Sequence, residues 1–353
     1  MAKNYRQLTE SINSRLNPNS LALEKAFSNE LGTISYNDTL VFIRTAMKGV
    51  DPNYTQKSRD AGERVKDHLN KSITDKIFRY QGSVMTNTHI KGVSDIDLLV
   101  ISDKFYSYDS QGIGAILEST ARQSKFSSTS IQKMENEKAS SSYSGNSIDD
   151  LKKLRLDSET ALIAVYSICD TTKPKAIKIK NLSLNREVDV VIANWYDGVS
   201  SIINDKGEYR GVQVYDKSTN SKGSADYPFL SINRINERSS NTNGRLKKMI
   251  RFLKNLKAFS QVDIDISSFD INAICYDIDS GKYQNLVFHE LVGILVIQLS
   301  SLSTDSTHSD DLVSVDGREY IFRYNIQKLE NMRLLLNEVE SVFLDLQKVT
   351  IYG

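Results

Sequence analysis

The sequence predicts an α+β protein, on three observations. Apolar residues recur at helical spacing through residues 1–75. Short apolar runs of strand length, bounded by turn residues, follow between residues 76 and 216. From residue 230 onward the pattern is helical again. With 353 residues, 25% charged and 39% hydrophobic, the chain has the composition of a globular protein of about two domains. It has no apolar run of the ~18 residues a membrane span needs. Residues 1–16 also lack the apolar core of a secretion signal, so a cytoplasmic protein without a membrane partner is expected. Cys169 and Cys275 lie inside apolar patterns and make neither a metal nor a disulfide framework, which fits a reducing compartment. The net charge of +1 argues against a protein that lives on long nucleic acid.

Helices are expected over residues 4–16, 20–31, 36–48 and 54–70. Asn17-Pro18 ends the first, Leu40, Ile43 and Met47 line the third, and Asp51-Pro52 signals the start of the fourth. Residues 76–80 read as a strand broken by Gly82-Ser83. About a dozen residues later, Asp95-Ile96-Asp97 runs into Leu98-Leu99-Val100-Ile101, the length of a buried strand. Residues 106–146, rich in Ser, Gln, Gly and Lys, read as a flexible insertion or a mobile lid. A capping-box pattern at Ser147 opens a helix over 147–168, and strands follow over 175–180, 187–193 and 209–216. Helices are expected over 230–238, 242–260 and 284–302, then a polar loop over 305–316 and one or two closing helices over 325–349.

The chemistry concentrates at a few positions. Residues i and i+2 of a strand share a face, so Asp95 and Asp97 aim their carboxylates the same way. Two adjacent acids repel, and a pair of divalent cations is the natural counter-charge; oxygen ligands suit Mg²⁺. Gly82 lets backbone approach a ligand closely, and backbone N–H groups with the Ser83 hydroxyl can hold phosphate oxygens. Asp189 sits among apolar neighbours, where an acid is costly unless paired or bound to a cation. Glu187 shares its face and is the alternative. Between Arg245 and Lys257 stand six basic residues and no acid, with Arg251 and Lys254 neighbours on one side of the helix. By itself that stretch reads as a solvated basic face. Ser268-Phe269 reads either as a helix cap with a core aromatic or as a phosphate-binding hydroxyl beside a base-stacking ring.

Gly-Ser followed at this spacing by Asp-hydrophobic-Asp-hydrophobic resembles the signature of the polymerase-β-like nucleotidyltransferases. Ile250-Arg251-Phe252-Leu253-Lys254 resembles an element of the 2′-5′-oligoadenylate synthetases, and Ser267-Ser268-Phe269 one of cyclic GMP-AMP synthase, with Phe269 in place of the usual Tyr. In this order the motifs cover most of the chain beyond Lys76, and the whole is similar to the bacterial cGAS/DncV-like nucleotidyltransferases (CD-NTases) of antiphage CBASS signalling. The resemblance implies a bilobal fold. Residues 1–230 would be a mixed-sheet catalytic core with the N-terminal helices, residues 231–353 a helical lobe, and the active site would lie in the cleft.

It further implies a template-independent synthase that makes a cyclic di- or trinucleotide second messenger from NTPs (ATP, GTP or a pyrimidine NTP). Asp95, Asp97 and Asp189 would hold two Mg²⁺ or Mn²⁺ ions; Gly82, Ser83, Arg251 and Lys254 would hold the triphosphate; Ser268 would bind phosphate and Phe269 would stack on a base. Implied partners are an effector activated by the cyclic nucleotide and an E1/E2-like conjugating protein acting on Gly353. The zinc insertion of the animal DNA sensor is absent, so activation by long double-stranded DNA is not expected. Two alternatives stay open: a nucleotidyltransferase that modifies an RNA end or a protein, and a catalytically inactive nucleotide sensor. The three intact acids count against the second.

Overall fold

A computed structural model describes residues 3–15, 38–90, 95–140 and 143–352. The helix expected over residues 20–31 and the terminal Gly353 lie outside the described residues. Helices α1 (Tyr5–Arg15), α2 (Asp38–Met47) and α3 (Pro52–Ser72) precede strands β1 (Lys76–Gln81) and β2 (Ile96–Tyr108). Helices α4 (Ser110–Leu117), α5 (Thr120–Gln123), α6 (Ser128–Ala139) and α7 (Ser147–Ile163) lead to β3 (Cys169–Asp170), β4 (Ile177–Asn181) and β5 (Arg186–Asp197). Then come α8 (Val199–Ile203), β6 (Gly211–Asp216), β7 (Ser221–Asp226) and α9 (Pro228–Asn241). Helices α10 (Arg245–Phe259), α11 (Ser268–Asp277), α12 (Glu290–Thr304), α13 (Ser306–Asp311) and α14 (Ile326–Tyr352) complete the order. The chain divides into two compact units. A sheet unit comprises Gln56–Met85 and Asp95–Asn233; a helical unit comprises Met1–Thr55, Thr86–Ser94 and Arg234–Gly353.

The sheet unit is built on one mixed sheet of seven strands, in the order β1-β2-β5-β4-β3, with β6 on β5 and β7 on β6. Only β2 and β5 run parallel; the other pairs are antiparallel. Strands buried on both faces read as continuous apolar runs, and β2 and β5 do. On one face Ile96, Leu98 and Val100 join Val188, Val190 and Ile192, covered by Ala61, Val65 and Leu69 of α3 and Leu151, Leu154 and Leu162 of α7. On the other face Leu99, Ile101, Val191 and Ala193 pack with Trp195, Val212 and Phe229. Alternation puts Asp97 and Asp189 on this second face, two residues before Leu99 and Val191.

Residues 106–146 are not the flexible insertion expected of them. They contain α4, α5 and α6, and Ile113 and Met134 form a small core with Ile202 of α8. The apolar residues are few but well spaced, and the polar ones that dominate the composition cap and coat the helices. Asp109 Oδ1, for example, accepts from Gly112 N at 2.8 Å. Helix α7 begins one residue earlier than the capping-box pattern suggests: Asn146 is the cap, its Oδ1 accepting from Ile148 N at 3.0 Å and Asp149 N at 3.3 Å. Strand β7, Ser-Lys-Gly-Ser-Ala-Asp, has no apolar alternation to announce it and is defined by its ladder to β6. The polar loop expected over 305–316 includes α13, capped by Asp305.

In the helical unit α10 is buried on most of its circumference. Leu246, Met249, Ile250, Phe252, Leu253 and Leu256 share one core with residues of α2, α11, α12 and α14. Helices α1 and α2, expected with the catalytic core, belong to this unit instead: Tyr5, Ile12, Phe42 and Ile43 are part of its core, and Tyr5 Oη donates to Asp345 Oδ2 of α14 at 2.6 Å. The apolar face of a helix is satisfied by whichever core covers it, and chain order does not decide which. The closing segment is one helix of 27 residues.

Candidate active site

Strand β1 ends opposite the acid motif, with Gln81 paired to Asp97. The chain then turns at Gly82, whose φ is +83°. A Cβ on Gly82 would lie 2.1 Å from Asp97 Oδ2, so both the left-handed backbone and the close approach demand glycine here. Ser83, half-buried, opens the turn that follows, and Met85 N donates to Gly82 O at 3.2 Å.

The parallel register of β2 and β5 sets Asp97 directly beside Asp189, and the antiparallel register of β4 and β5 sets Lys178 on the other side of Asp189. Asp95 enters from the residue before β2. Lys178 Nζ donates to Asp95 Oδ2 at 2.9 Å and pairs with Glu187 Oε2 at 2.8 Å. Of the two acids β5 offers, Asp189 is the one beside Asp97; Glu187, two residues back, is held by Lys178.

Burial, then the charges of Asp189 and Asp95, push the Asp97 carboxyl up to about 7 against the pull of Lys178. Burial raises Asp189 as well; Lys178 opposes, and Asp95 and Glu187 add to the rise. Lys178 is held above its usual value by hydrogen bonds to Glu187 and Asp95, with burial opposing. Asp189 Oδ1 is buried with no hydrogen-bond partner among the described residues. Two desolvated carboxyls, Asp97 and Asp189, with Asp95 beside them and one orphaned oxygen, fit a divalent cation, whose charge would offset the repulsion and whose coordination would use that oxygen. Among the described residues, though, no three His, Cys, Asp or Glu side chains are already gathered in ligating geometry. Asp95 is instead paired with Lys178, which also holds Glu187.

The remaining expected site residues belong to the helical unit. Arg251 and Lys254 lie on α10, and Ser268 and Phe269 open α11. The basic helix is not a solvated face: Arg245, Arg251 and Lys257 each donate to a backbone carbonyl, of Leu286, Met47 and Ile266 respectively. Arg251 is buried; its Nε reaches Met47 O at 2.8 Å and its Nη1 reaches Asn87 O at 2.6 Å, which ties down the 86–90 segment of the same unit. Lys254, 5% exposed, has Thr88 Oγ1 at 3.5 Å and no acid paired with it among the described residues. Burial lowers its ammonium to about 8, with Cys275 opposing and Arg251 adding to the fall. Ser267, not Ser268, caps α11, in a capping box with Asp270, which leaves the Ser268 hydroxyl exposed. Phe269 is 38% exposed, so it is not a core aromatic.

Sequence reasoning missed Lys178. Its signal was the alternation Ala-Ile-Lys-Ile-Lys over 176–180, which puts the lysines on one face, but which acids that face meets depends on register.

Residues 233–344 match the cGAS/DncV-like nucleotidyltransferase C-terminal helical domain. The chain is 53% identical over 348 residues to a c-di-GMP synthase of Capnocytophaga granulosa, with 98% of each chain covered. It is 39% identical to a c-di-GMP synthase of a Lachnospiraceae bacterium, covering 97% of this chain and 98% of that one. Among solved structures, a STING-associated CdnE c-di-GMP synthase from Flavobacteriaceae sp. superposes with a TM-score of 0.88 at 38% identity, covering 98% of this chain and 99% of that one. The C. granulosa enzyme superposes at 0.80 with 48% identity, over 98% and 99%. The full-length identity, the helical-domain match and the mixed sheet agree, and the chain belongs to the cGAS/DncV-like nucleotidyltransferases as an enzyme of cyclic dinucleotide synthesis.

Proposed function

We propose that this chain condenses two GTP molecules into cyclic di-GMP, with Asp95, Asp97 and Asp189 as the catalytic carboxylates. The observation that carries the site assignment is the strand register: Asp97 stands beside Asp189 with Gly82 packed on Asp97, so the motif residues converge on one face of one sheet. The choice of guanine is supported by the two c-di-GMP synthases that match over nearly their whole lengths.

In this reading a ribose hydroxyl of one GTP attacks the α-phosphorus of the other, a phosphodiester forms and pyrophosphate leaves. A second, identical transfer closes the ring, so two GTP give one cyclic dinucleotide and two pyrophosphates. Asp95, Asp97 and Asp189 would hold two divalent cations, Mg²⁺ or Mn²⁺, which when bound supply charge neutralisation of the transferring phosphate. Asp189, whose proton affinity burial raises, is suited to take the proton of the attacking hydroxyl. The backbone N–H groups and the Ser83 hydroxyl at the Gly82 turn would orient the donor phosphates. Lys254, a buried ammonium without a paired acid among the described residues, is suited to a further phosphate. Arg251, whose Nε and Nη1 are engaged with carbonyls, would act by holding the 86–90 segment. Exposed Ser268 and Phe269 would meet a phosphate and a guanine.

The product would serve as a cytoplasmic second messenger in antiphage defence. The STING association of the two solved relatives supports a STING-type effector as its receiver.

The test is product analysis. Incubation with Mg²⁺ and each NTP alone or all four together, followed by phosphatase treatment and mass spectrometry, should give c-di-GMP from GTP alone. A requirement for ATP or a pyrimidine, or transfer only to protein or RNA, would overturn the reading. The Asp95→Asn, Asp97→Asn double variant should melt cooperatively at or above the wild-type temperature and make no product.

A further inference from the structure

Lys178 projects from β4 between Ile177 and Ile179, both fully buried, so its backbone is anchored while its side chain remains 38% exposed. Its ammonium bridges two acids of different standing. One is Asp95 at 2.9 Å, a proposed metal ligand; the other is Glu187 at 2.8 Å, which the register sets two residues away from the Asp97–Asp189 pair. It leaves Asp189 Oδ1 without a partner among the described residues. The lysine thus pairs directly with one ligand of the cluster, Asp95, and not with Asp97 or Asp189. It also has a second acid to remain with when that ligand leaves.

We propose that Lys178 is a displaceable internal counter-ion that sets the divalent-cation threshold of the site. In the metal-free chain it holds Asp95; cation binding takes Asp95 from it, and Glu187 retains the ammonium. The inference rests on the reading of Asp95, Asp97 and Asp189 as metal ligands. Physically, the cation competes against one partly exposed ion pair, worth up to ~1 kcal/mol, and the retained Glu187 contact keeps the displaced lysine paired. A lysine with Asp95 as its sole partner would resist displacement more; with no lysine, Asp95 would be free at any cation concentration.

The experiment is a Mn²⁺ titration of the nucleotide-free full chain, read by the EPR signal of free Mn²⁺. Lys178→Met should bind Mn²⁺ about three- to fivefold more tightly than the wild type, the equivalent of the ion pair removed. Lys178→Arg should bind it more weakly, because a guanidinium grips two carboxylates in a fixed fork. Lys152→Met removes the same charge from an exposed position on α7, which packs on the opposite face of the sheet, and should stay within about twofold of the wild type. Lys178→Met binding no tighter than the wild type, Lys152→Met tightening as much, or Lys178→Arg binding more tightly would each overturn the proposal. Mn²⁺ binding that is absent from the wild type, or unchanged in the Asp95→Asn, Asp97→Asn variant, would overturn the metal-site reading itself, and this inference with it.

Discussion

Gly82 is the position at which one added methyl group should separate catalysis from folding. Its φ of +83° is a conformation L-residues avoid, and holding alanine there costs about 1–2 kcal/mol. That alone is a melting shift of about 1–3 °C for a chain of this length. The larger effect is local. The new Cβ would stand 2.1 Å from Asp97 Oδ2, well inside the 3.0 Å below which something must shift, so the carboxylate moves by about an ångström. Misplacement on that scale can cost ~100-fold in rate, or about 2.7 kcal/mol of transition-state stabilisation. Gly82→Ala should therefore lose at least about 100-fold in kcat/KM for c-di-GMP formation while still melting cooperatively. Gly82→Asn separates the two causes, since asparagine tolerates the left-handed backbone but still carries a Cβ. It should recover stability and remain inactive. Steady-state pyrophosphate release and thermal melts of both variants provide the measurements. Gly82→Ala activity within about threefold of the wild type, or a Gly82→Asn variant as active as the wild type, would refute the claim that the Cβ displaces Asp97.

Three further outcomes are expected. Asp97 titrates near 7 in the fold against an ordinary 3.8, so between those values the folded chain holds a proton that the unfolded chain has released. Metal-free stability should accordingly fall as pH rises through that window, with Asp189 contributing in the same direction, and Asp97→Asn should flatten the slope in urea melts with EDTA; a slope unchanged by the substitution would count against the burial argument. Lys254→Ala should lower kcat/KM about ten- to a hundredfold, as loss of a charge-assisted phosphate bond does. In the wild type the KM for GTP should rise as pH passes about 8, where the buried ammonium loses its proton, whereas Lys254→Arg should show no such rise. Phe269→Ala should leave the melt nearly unchanged, because the ring is already 38% exposed, yet raise the KM by the ~1–3 kcal/mol of a stacked base; an unaltered KM would remove Phe269 from the site.

The sequence by itself determines the parts of this protein that depend on short-range regularity. The Gly-Ser turn, the Asp95–Asp97 pair, the double-sided apolar strands β2 and β5 and the long α10 are legible because strand and helix periods, turn chemistry and residue type act over a few residues. What it leaves open is everything that depends on which segments meet. Asp189 and Glu187 are equivalent by alternation; only the parallel pairing of β2 with β5 sets Asp189 beside Asp97 and leaves Glu187 to Lys178. Arg251 and Lys254 look alike on a basic helix, yet packing joins two donors of the first to Met47 and Asn87 and leaves the second a buried ammonium beside a hydroxyl. Helices α1 and α2 precede the sheet in the chain but are buried with α10 and α14, and a serine-rich stretch folds around Ile113 and Met134 because Ile202 completes its core. In each case the deciding energy is desolvation or hydrogen bonding between residues far apart in the chain. Local pattern shows that such a group needs a partner, and only the tertiary structure supplies the partner's identity.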